Sequence, residues 1–431
     1  MEIIKYDSEQ GKQLFNRLLN RSKQNEGKFQ ETVDEILKNI KQNGNKAVFE
    51  YTKKFDGFDV NENNFKVTRA EIKKAYAETD PDLVEVMEKA AERISAYHQK
   101  QKLNSWLEPN EKGEMLGQLI RPLERVGVYV PGGKAAYPSS VLMNIIPAKV
   151  AGVKKVIMTT PADKNGNVNP NTLAAADIAG ADEIYKVGGA QAIGALAYGT
   201  ETVGAVDKIV GPGNIFVALA KKSVYGSINI DSVAGPSEIL VIADESADPV
   251  FVSADLLSQA EHDELASAIL ITTDISLAEK VNKEIYKQAE KLERKEIILK
   301  SLEGYGGIVV APDIKTACEL SNKIAPEHLE VSIKEPFSAL RYIKNAGAVF
   351  LGHYSPEPLG DYMAGPNHVL PTGGTARFFS PLSIDDYIKK SSIISFSKEA
   401  LFDLGDDIIT FAEAEGLTAH ANSVKVRMNK G

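Results

Sequence analysis

Cysteine is almost absent from this chain, since Cys318 is the only one among 431 residues. A single cysteine excludes an internal disulfide framework and fits a reducing compartment, so we expect a cytoplasmic protein. The surrounding residues 315–321 have the spacing of an amphipathic helix. We therefore interpret Cys318 as a small buried thiol rather than a nucleophile.

The chain also lacks a long apolar run and an excess of positive charge. No run of about 18 apolar residues occurs, which argues against a membrane-spanning helix. Residues 1–7 are too few and too charged to suggest a signal peptide. The net charge is −9, with Lys and Arg spread along the chain, so nucleic acid is not an expected partner.

Short β-rich runs alternate with helix-like segments from residue 125 onward. The predicted strands are 126–130, 155–159, 183–187, 208–210, 239–242, 268–271, 307–310, 329–332 and 348–351. Such alternation predicts parallel sheets joined by right-handed crossovers. We therefore predict an α/β fold with two Rossmann-like lobes, an N-terminal helical segment and a C-terminal helical tail.

The remaining segments give less specific predictions. Residues up to about 125 should be mostly helical, with His98 on the surface, and the longest helix of the later lobe should run from 277 to about 302. In the tail, 385–390 and 406–415 are amphipathic helix candidates. The predicted domains are an N-terminal helical arm (1–25), a first lobe (26–125 plus 237–380), a second lobe (126–236) and the tail (381–431).

The segment 359–374 combines many glycines and prolines with apolar side chains and titratable groups. Its glycines and prolines oppose a regular helix or strand. Its apolar residues argue against disorder, so we predict a packed loop carrying Asp361 and His368. It follows a predicted strand, and ligands of open αβ sheets bind beyond the carboxyl ends of strands. The alternative is a capping loop whose Asp361 and His368 make only local hydrogen bonds.

Two glycine-rich turns, 187–192 and 210–214, each follow a strand and open a helix. This geometry presents backbone N–H groups to an anion. Gln191 and Asn214 would then face the ligand. Neither turn has the usual dinucleotide spacing, so two tight strand–helix turns remain the alternative.

Two further pairs can carry chemistry. Gln259 and His262 are three residues apart on one helix face and, with Asp361, offer mixed N and O ligands to a divalent ion. The alternative is a polar pair on a helix surface. Glu327 and His328 stand side by side before a strand and can act as acid and base, or simply form a loop with a satisfied histidine.

These pieces together resemble the histidinol dehydrogenase family. The matching stretches are 128–133, 188–192, 211–214, 234–238, 259–262, 326–328, 359–374 and 416–420. They occur in the family's order between residues 121 and 420, and the combination is far more specific than any one of them.

The resemblance implies an aldehyde-dehydrogenase-like architecture and a homodimeric enzyme that oxidises L-histidinol through L-histidinal to L-histidine. It implies one Zn²⁺ per subunit and NAD as the oxidant. Carried over, the metal ligands are Gln259, His262, Asp361 and His420, and the NAD contacts are Tyr129, Gln191 and Asn214. The substrate contacts are Ser237, His328 and Glu415, together with the metal ligands. Glu327 and His328 resemble the acid–base pair.

The implied chemistry is consistent with the residues present. His328 as base would take the hydroxyl proton while hydride leaves for NAD, and Glu327 would activate water on the aldehyde. No thiol is needed, in keeping with a structural Cys318. The tail has little core of its own, so we expect Glu415 and His420 to complete the site of a second subunit.

Three other functions are compatible with the pattern. One is an NAD-linked dehydrogenase of the same architecture acting on a different amino alcohol or a sulfonated alcohol. Another is a zinc hydrolase without NAD that uses Glu327 to activate water. The third is a non-catalytic nucleotide-binding protein. Glu415 and His420, suited to an imidazole–amine substrate, favour histidinol.

Overall fold

The computed structural model describes residues 1–20, 26–132, 137–233 and 235–429. Its strands are β1 (Ile3–Lys5), β2 (Trp106–Pro109), β3 (Glu114–Pro122), β4 (Arg125–Tyr129), β5 (Lys155–Thr160), β6 (Glu183–Lys186), β7 (Lys208–Val210), β8 (Asn229–Ile230), β9 (Glu238–Ala243), β10 (Ser267–Thr272), β11 (Gly306–Val310), β12 (His328–Ser332), β13 (Ala348–Leu351) and β14 (Ile388–Phe396). Its helices are α1 (Glu9–Asn20), α2 (Glu26–Asp56), α3 (Arg69–Glu78), α4 (Pro81–Gln99), α5 (Pro138–Ala151), α6 (Pro170–Ala179), α7 (Gly189–Tyr198), α8 (Ile215–Val224), α9 (Pro249–Ala260), α10 (Ile275–Ala289), α11 (Lys295–Tyr305), α12 (Ile314–Ile324), α13 (Glu357–Tyr362), α14 (Lys398–Ala414) and α15 (Thr418–Lys425).

Two parallel sheets form the main part of the described chain. The five-stranded sheet has the order β6-β5-β4-β7-β8, and the six-stranded sheet has the order β1-β11-β10-β9-β12-β13. Every strand pair in both sheets is parallel. All predicted strands between residues 126 and 351 are present, each within one residue of its predicted ends. The predicted α/β fold with two Rossmann-like lobes is therefore confirmed.

The inner strands of both sheets are buried on their two faces. Val128 of β4, Val241 of β9 and Leu270 of β10 have no exposed surface. Helix α5 packs with α6, α2 packs with α7 and α8, and α9 packs with α10. Strands covered on both sides need apolar residues at successive positions, which explains their continuous apolar runs in the sequence.

The chain divides into two compact units. The first comprises Met1–Gln101 and Leu123–Tyr387, and it holds both parallel sheets. The second comprises Lys102–Pro122 and Ile388–Gly431, with the antiparallel sheet β14-β3-β2 and helices α14 and α15. The small core of the second unit is formed by Ile409, Ala412 and Ala421. The predicted domain boundaries 1–25, 26–125 plus 237–380, 126–236 and 381–431 stay predictions.

Two predictions for the second unit were wrong. Residues 106–122, expected to be helical, contain β2 and β3, and the helix candidate 385–390 leads instead into β14. Nine residues of β14 pair with β3 in antiparallel register, from Ile388 opposite Pro122 to Phe396 opposite Glu114. The pairing between distant segments overrides their local helical preference. The predicted helix 406–415 is confirmed within α14.

Three further expectations need correction. The single helix predicted for 277–302 is two helices, α10 and α11, with a break between them. The segment 359–374 begins inside a short helix, α13, whose Pro358 lies in the first turn where its missing N–H costs nothing. His98 is fully buried rather than exposed. Its Nδ1 lies 2.7 Å from Oε1 of Gln101, an acceptor, so Nδ1 carries a ring proton.

Candidate active site

A cavity of about 380 Å³ opens between the two parallel sheets of the first unit. One wall is the turn 211–213 after β7, and the opposite wall is formed by residues at the amino ends of β9 and β12. Its lining includes six of the predicted site residues: Ser237, Gln259, His262, Glu327, His328 and Asp361.

Ligands of open αβ sheets usually bind beyond the carboxyl ends of the strands, and this cavity follows that rule for only one of the two sheets. The turn 211–213 does lie beyond the carboxyl end of β7. In the six-stranded sheet, however, His328 is the first residue of β12 and Ser237 directly precedes β9, so these residues lie at amino ends. Carboxyl ends of one sheet therefore face amino ends of the other across the cavity.

His328 is buried in a neutral, oriented state. Its Nδ1 lies 2.9 Å from the carbonyl oxygen of Glu238, and a carbonyl can only accept, so Nδ1 carries the ring proton. The lone pair of Nε2 is consequently free, and Nε2 lies 3.6 Å from Oε1 of Glu357. Burial lowers the pKa of His328 to about 4, against the opposing charge of Asp361. The ring is therefore neutral at neutral pH, and its Nε2 offers a lone pair to a hydrogen-bond donor.

Glu327 lies directly before β12 and is 7% exposed. Its Oε2 accepts a hydrogen bond of 2.9 Å from the backbone N–H of Glu238. Burial, followed by the nearby charge of Glu238, raises the pKa of Glu327 well above its ordinary value. A carboxyl with a raised pKa can hold or accept a proton close to neutrality, as acid–base chemistry requires.

Helix α13 places Asp361 and Glu357 on the same wall. Oδ1 of Asp361 lies 3.5 Å from Nδ1 of His368. Burial disfavours the charge of Asp361, but the hydrogen bond and charge of His368 outweigh it and lower the pKa of Asp361. Burial first, and then the charge of Asp361, raise the pKa of Glu357 to about 9. His368 therefore supports the ionised form of Asp361.

The end of α9 provides the other candidate metal ligands. Gln259 is 1% exposed, and its Oε1 is buried without a hydrogen-bond partner. The backbone N–H of His262 donates to the carbonyl of Gln259 over 3.2 Å, and this turn brings both side chains to the cavity. A buried oxygen without a partner costs free energy, which a bound cation would relieve. The donor set of nitrogen and oxygen therefore fits a divalent ion.

Glu357 was missed by sequence reasoning. Ligand atoms of His328, Glu357 and Asp361 all lie within 4.8 Å of one another, and Oε1 of Glu357 is also buried without a hydrogen-bond partner. Its spacing of four residues from Asp361 was the available signal. That spacing has meaning only on a helix, whereas the sequence predicts irregular backbone for 359–374, which includes Asp361.

The predicted cofactor contacts lie at the two glycine-rich turns. The hydroxyl of Tyr129 accepts from the N–H of Gly189 over 3.1 Å, and Gln191 is buried with Nε2 lacking a partner. Oδ1 of Asn214 caps α8 by accepting from the backbone N–H groups of Phe216 and Val217. Tyr129, Gln191 and Asn214 are not among the described residues that line the cavity. The lining does include residues 211–213, which precede Asn214.

Glu415 and His420 belong to the second unit, whereas every described residue lining the cavity belongs to the first. Glu415 follows α14, His420 lies on α15, and both are exposed. Cys318 is fully buried in α12, and burial raises the pKa of its thiol to about 11. The interpretation of Cys318 as a buried thiol is therefore confirmed.

Comparison with known proteins decides the family. The sequence model of histidinol dehydrogenase matches residues 19–428. The chain belongs to the histidinol dehydrogenase family. The histidinol dehydrogenase of Clostridium acetobutylicum is 57% identical over 427 residues, covering 99% of both chains. That of Caldanaerobacter subterraneus subsp. tengcongensis is likewise 57% identical over 427 residues and 99% of both chains.

A solved structure supports the same family at the level of the fold. The crystal structure of histidinol dehydrogenase from Elizabethkingia anophelis matches with a TM-score of 0.90 and 41% identity. It covers 93% of this chain and 92% of that chain. The resemblance found in the sequence is thus confirmed, and the histidinol dehydrogenase family is one of oxidoreductases. Among the described residues, no helix is both long and apolar enough to cross a membrane.

Proposed function

We propose that this protein oxidises L-histidinol through L-histidinal to L-histidine, the last two steps of histidine biosynthesis, reducing two NAD per histidinol in the cytoplasm. The supporting observation is the buried, neutral His328, whose Nε2 carries no proton and whose Nδ1 lies 3.8 Å from Oε2 of Glu327, in a cavity with cation ligands. Oxidation of the alcohol requires a base for the hydroxyl proton, and oxidation of the aldehyde requires a second group that activates water.

The first step uses His328 as base. Nε2 takes the proton of the histidinol hydroxyl while the carbinol carbon gives a hydride to NAD, leaving an aldehyde. The Nδ1 hydrogen bond to the Glu238 carbonyl keeps the ring in the required tautomer and orientation.

The second step uses Glu327. Its carboxylate takes a proton from water, the resulting hydroxide adds to the aldehyde carbon, and the hydrate gives a second hydride to a second NAD. Burial and the charge of Glu238 raise the pKa of Glu327, which favours its protonated form. Entry of a cationic substrate would lower that pKa, because positive charge stabilises the carboxylate. Substrate binding therefore prepares Glu327 to act as a base.

We further propose that Gln259, His262 and Asp361, with His420 of a second subunit, hold one Zn²⁺ per subunit. Bound there, the ion would supply a positive charge that orients the substrate amine and imidazole. The unpartnered Oε1 of Gln259 and the ionised Asp361 support this assignment. Ser237, His328 and Glu415 complete the proposed substrate contacts, and Tyr129, Gln191 and Asn214 the contacts to NAD.

The proposed assembly is a homodimer in which Glu415 and His420 serve the other subunit's site. The second unit exposes large apolar side chains on α14 and on both sides of α15: Phe411 of α14 is 71% exposed, Leu417 directly before α15 is 43% exposed, and Val426 directly after it is 51% exposed. Apolar groups on an element with so small a core fit a protein–protein interface. Nucleic acid and membrane are not proposed partners.

The deciding experiment counts reduced cofactor. Purified zinc-loaded protein is mixed with limiting L-histidinol and excess NAD, and NADH absorbance and L-histidine are both measured. Two NADH and one histidine per histidinol are expected. One NADH with accumulating aldehyde would mean a simple amino-alcohol dehydrogenase, and no NADH would reject the proposal.

A further inference from the structure

A buried ion pair lies beside the cavity, on the lobe that carries the glycine-rich turns. Lys221 of α8 contacts Oδ1 of Asp231, which directly follows β8, through its ammonium group. The two side chains are only 3% and 5% exposed. The sequence does not predict this burial, because lysine and aspartate side chains ordinarily face solvent.

The pair binds both backbone polar groups of Gly211, its N–H and its carbonyl. Oδ2 of Asp231 accepts from the N–H of Gly211 over 2.8 Å, and Nζ of Lys221 donates to the carbonyl of Gly211 over 2.9 Å. Gly211 has φ of 111°, and a Cβ there would come within 2.1 Å of the carbonyl oxygen of Tyr129. The backbone of Gly211, the first residue of the turn 211–214, is therefore fixed by a clamp of opposite charges.

The clamp borders the proposed binding cavity. Lys221, Asp231 and residues 211–213 all line it, and among the described lining residues Lys221 is the only lysine or arginine. Replacing a buried ion pair by apolar residues is often neutral or stabilising, so stability alone explains such a pair poorly. Its contacts to Gly211 instead indicate a role in shaping the turn.

We propose that Lys221 and Asp231 are positioning residues for NAD, which hold the turn 211–214 in the conformation that receives the dinucleotide. This inference rests on the proposed function, because it assumes that NAD binds against this turn. The pair acts through the turn and takes no part in proton or hydride transfer. Its loss should weaken NAD binding without affecting the metal or the histidinol contacts.

The test separates cofactor binding from the rest of the reaction. Asp231→Asn and Lys221→Met are prepared in the zinc-loaded protein, and the Kd for NAD is measured by calorimetry. KM is measured separately for NAD and for histidinol. Both variants should raise Kd and KM for NAD by about 10- to 100-fold, since small displacements of a binding element have effects of this size. Zinc content and KM for histidinol should change less than about twofold.

A matched control comes from the same lobe. Lys208 of β7 is equally buried, its side chain being 4% exposed, and Nζ lies 2.7 Å from Oδ1 of Asp386. It does not line the cavity. Lys208→Met should lower the unfolding temperature and leave the Kd for NAD unchanged. Lys221→Arg, which keeps the cation, should bind NAD more tightly than Lys221→Met.

The outcomes are distinguishable. Wild-type protein that binds no NAD would overturn the proposed function and this inference with it. Wild-type protein that binds NAD, together with folded Asp231→Asn and Lys221→Met variants that bind it equally well, would overturn the positioning role alone. Equal losses in Lys208→Met and Lys221→Met would also overturn it, because the effect would then be one of general stability.

Discussion

Glu238 and Glu327 exchange hydrogen bonds between side chain and backbone. The N–H of Glu238 donates to Oε2 of Glu327 over 2.9 Å, and the N–H of Glu327 donates to Oε2 of Glu238 over 3.2 Å. The other oxygen of Glu238 accepts from the N–H of Gly373 over 2.8 Å. This reciprocal pair joins the amino ends of β9 and β12 and fixes the Glu327 carboxyl at the cavity.

Replacing Glu327 by glutamine should separate the two oxidations. An amide keeps the size of the carboxyl and can still accept from Glu238, but it cannot take a proton from water. Aldehyde oxidation should fall by about 10²- to 10⁴-fold, the usual value of a general base, and alcohol oxidation by much less. The rates are measured separately with L-histidinal and L-histidinol. Equal losses with both substrates would contradict the assignment.

Replacing His328 by alanine should damage both oxidations. The imidazole is the proposed base for the hydroxyl proton, so alcohol oxidation should fall by about 10²- to 10⁴-fold, and loss of the ring beside Glu327 should also slow the aldehyde step. Zinc content should persist, because His328 is not a proposed metal ligand. His353→Ala is the matched control: its Nδ1 lies 2.7 Å from Oγ of Ser332, and it does not line the cavity. An unchanged alcohol step in His328→Ala would reject the base.

Most strands of the parallel sheets were predictable because burial on both faces requires apolar residues at successive positions. β9 is buried at all six positions, so its composition alone marks it as an interior strand. β3 and β14 were not predictable in the same way. Each is partly exposed and is stabilised by pairing with a segment far along the chain. Such a distant partner cannot be predicted from the local sequence pattern.

The site was predicted in its parts but not in its arrangement. Gln259, His262, Glu327, His328 and Asp361 do meet in one cavity. Their roles were taken from the resemblance to the family, because the spacing of each pair is equally compatible with a purely structural role. The hydrogen bonds of Glu238, the buried Glu357 and the Lys221 clamp were not predicted. Each depends on which side chains become buried together, which sequence spacing does not specify.

Removing the metal should abolish activity reversibly. Prolonged dialysis against a chelator should reduce turnover to background, and added Zn²⁺ should restore it. Gln259→Ala removes a buried oxygen that has no other hydrogen-bond partner, so it should weaken zinc binding by about 10- to 100-fold. Zinc per subunit is measured by atomic absorption after dialysis at defined free zinc. Full turnover in demonstrably metal-free protein would rule out the metal site.

His98 should make folding stability sensitive to acid. Burial lowers the pKa of His98 below 6.5, while the hydrogen bond from its ring to Gln101 acts in the opposite direction. Below pH 6.5 the unfolded chain therefore binds a proton that the folded protein resists, so the free energy of unfolding decreases as pH falls toward the folded pKa. The contribution of one such group is at most about 1.4 kcal/mol per pH unit.

The measurement compares denaturation midpoints at several pH values below 6.5 for wild type, His98→Gln and Ser95→Ala. His98→Gln should have a shallower pH dependence than wild type, because glutamine does not titrate. Ser95→Ala lies on the same helix, removes no titrating group and should keep the wild-type slope. Identical slopes for wild type and His98→Gln would show that His98 does not carry this acid sensitivity.

Mixing two inactive variants should test whether the tail serves the other subunit. His262→Ala removes a ligand from the first unit, and His420→Ala removes one from the tail, so each homodimer should be inactive. In a mixed dimer with exchanged tails, one site carries both substitutions and the other carries neither. Random exchange makes about half of the dimers mixed, each with one intact site, so activity should recover to about one quarter of wild type. If each tail instead served its own subunit, every site in a mixed dimer would lack one ligand. Mass spectrometry would verify that mixed dimers had formed, and their complete inactivity would contradict exchange of the tail.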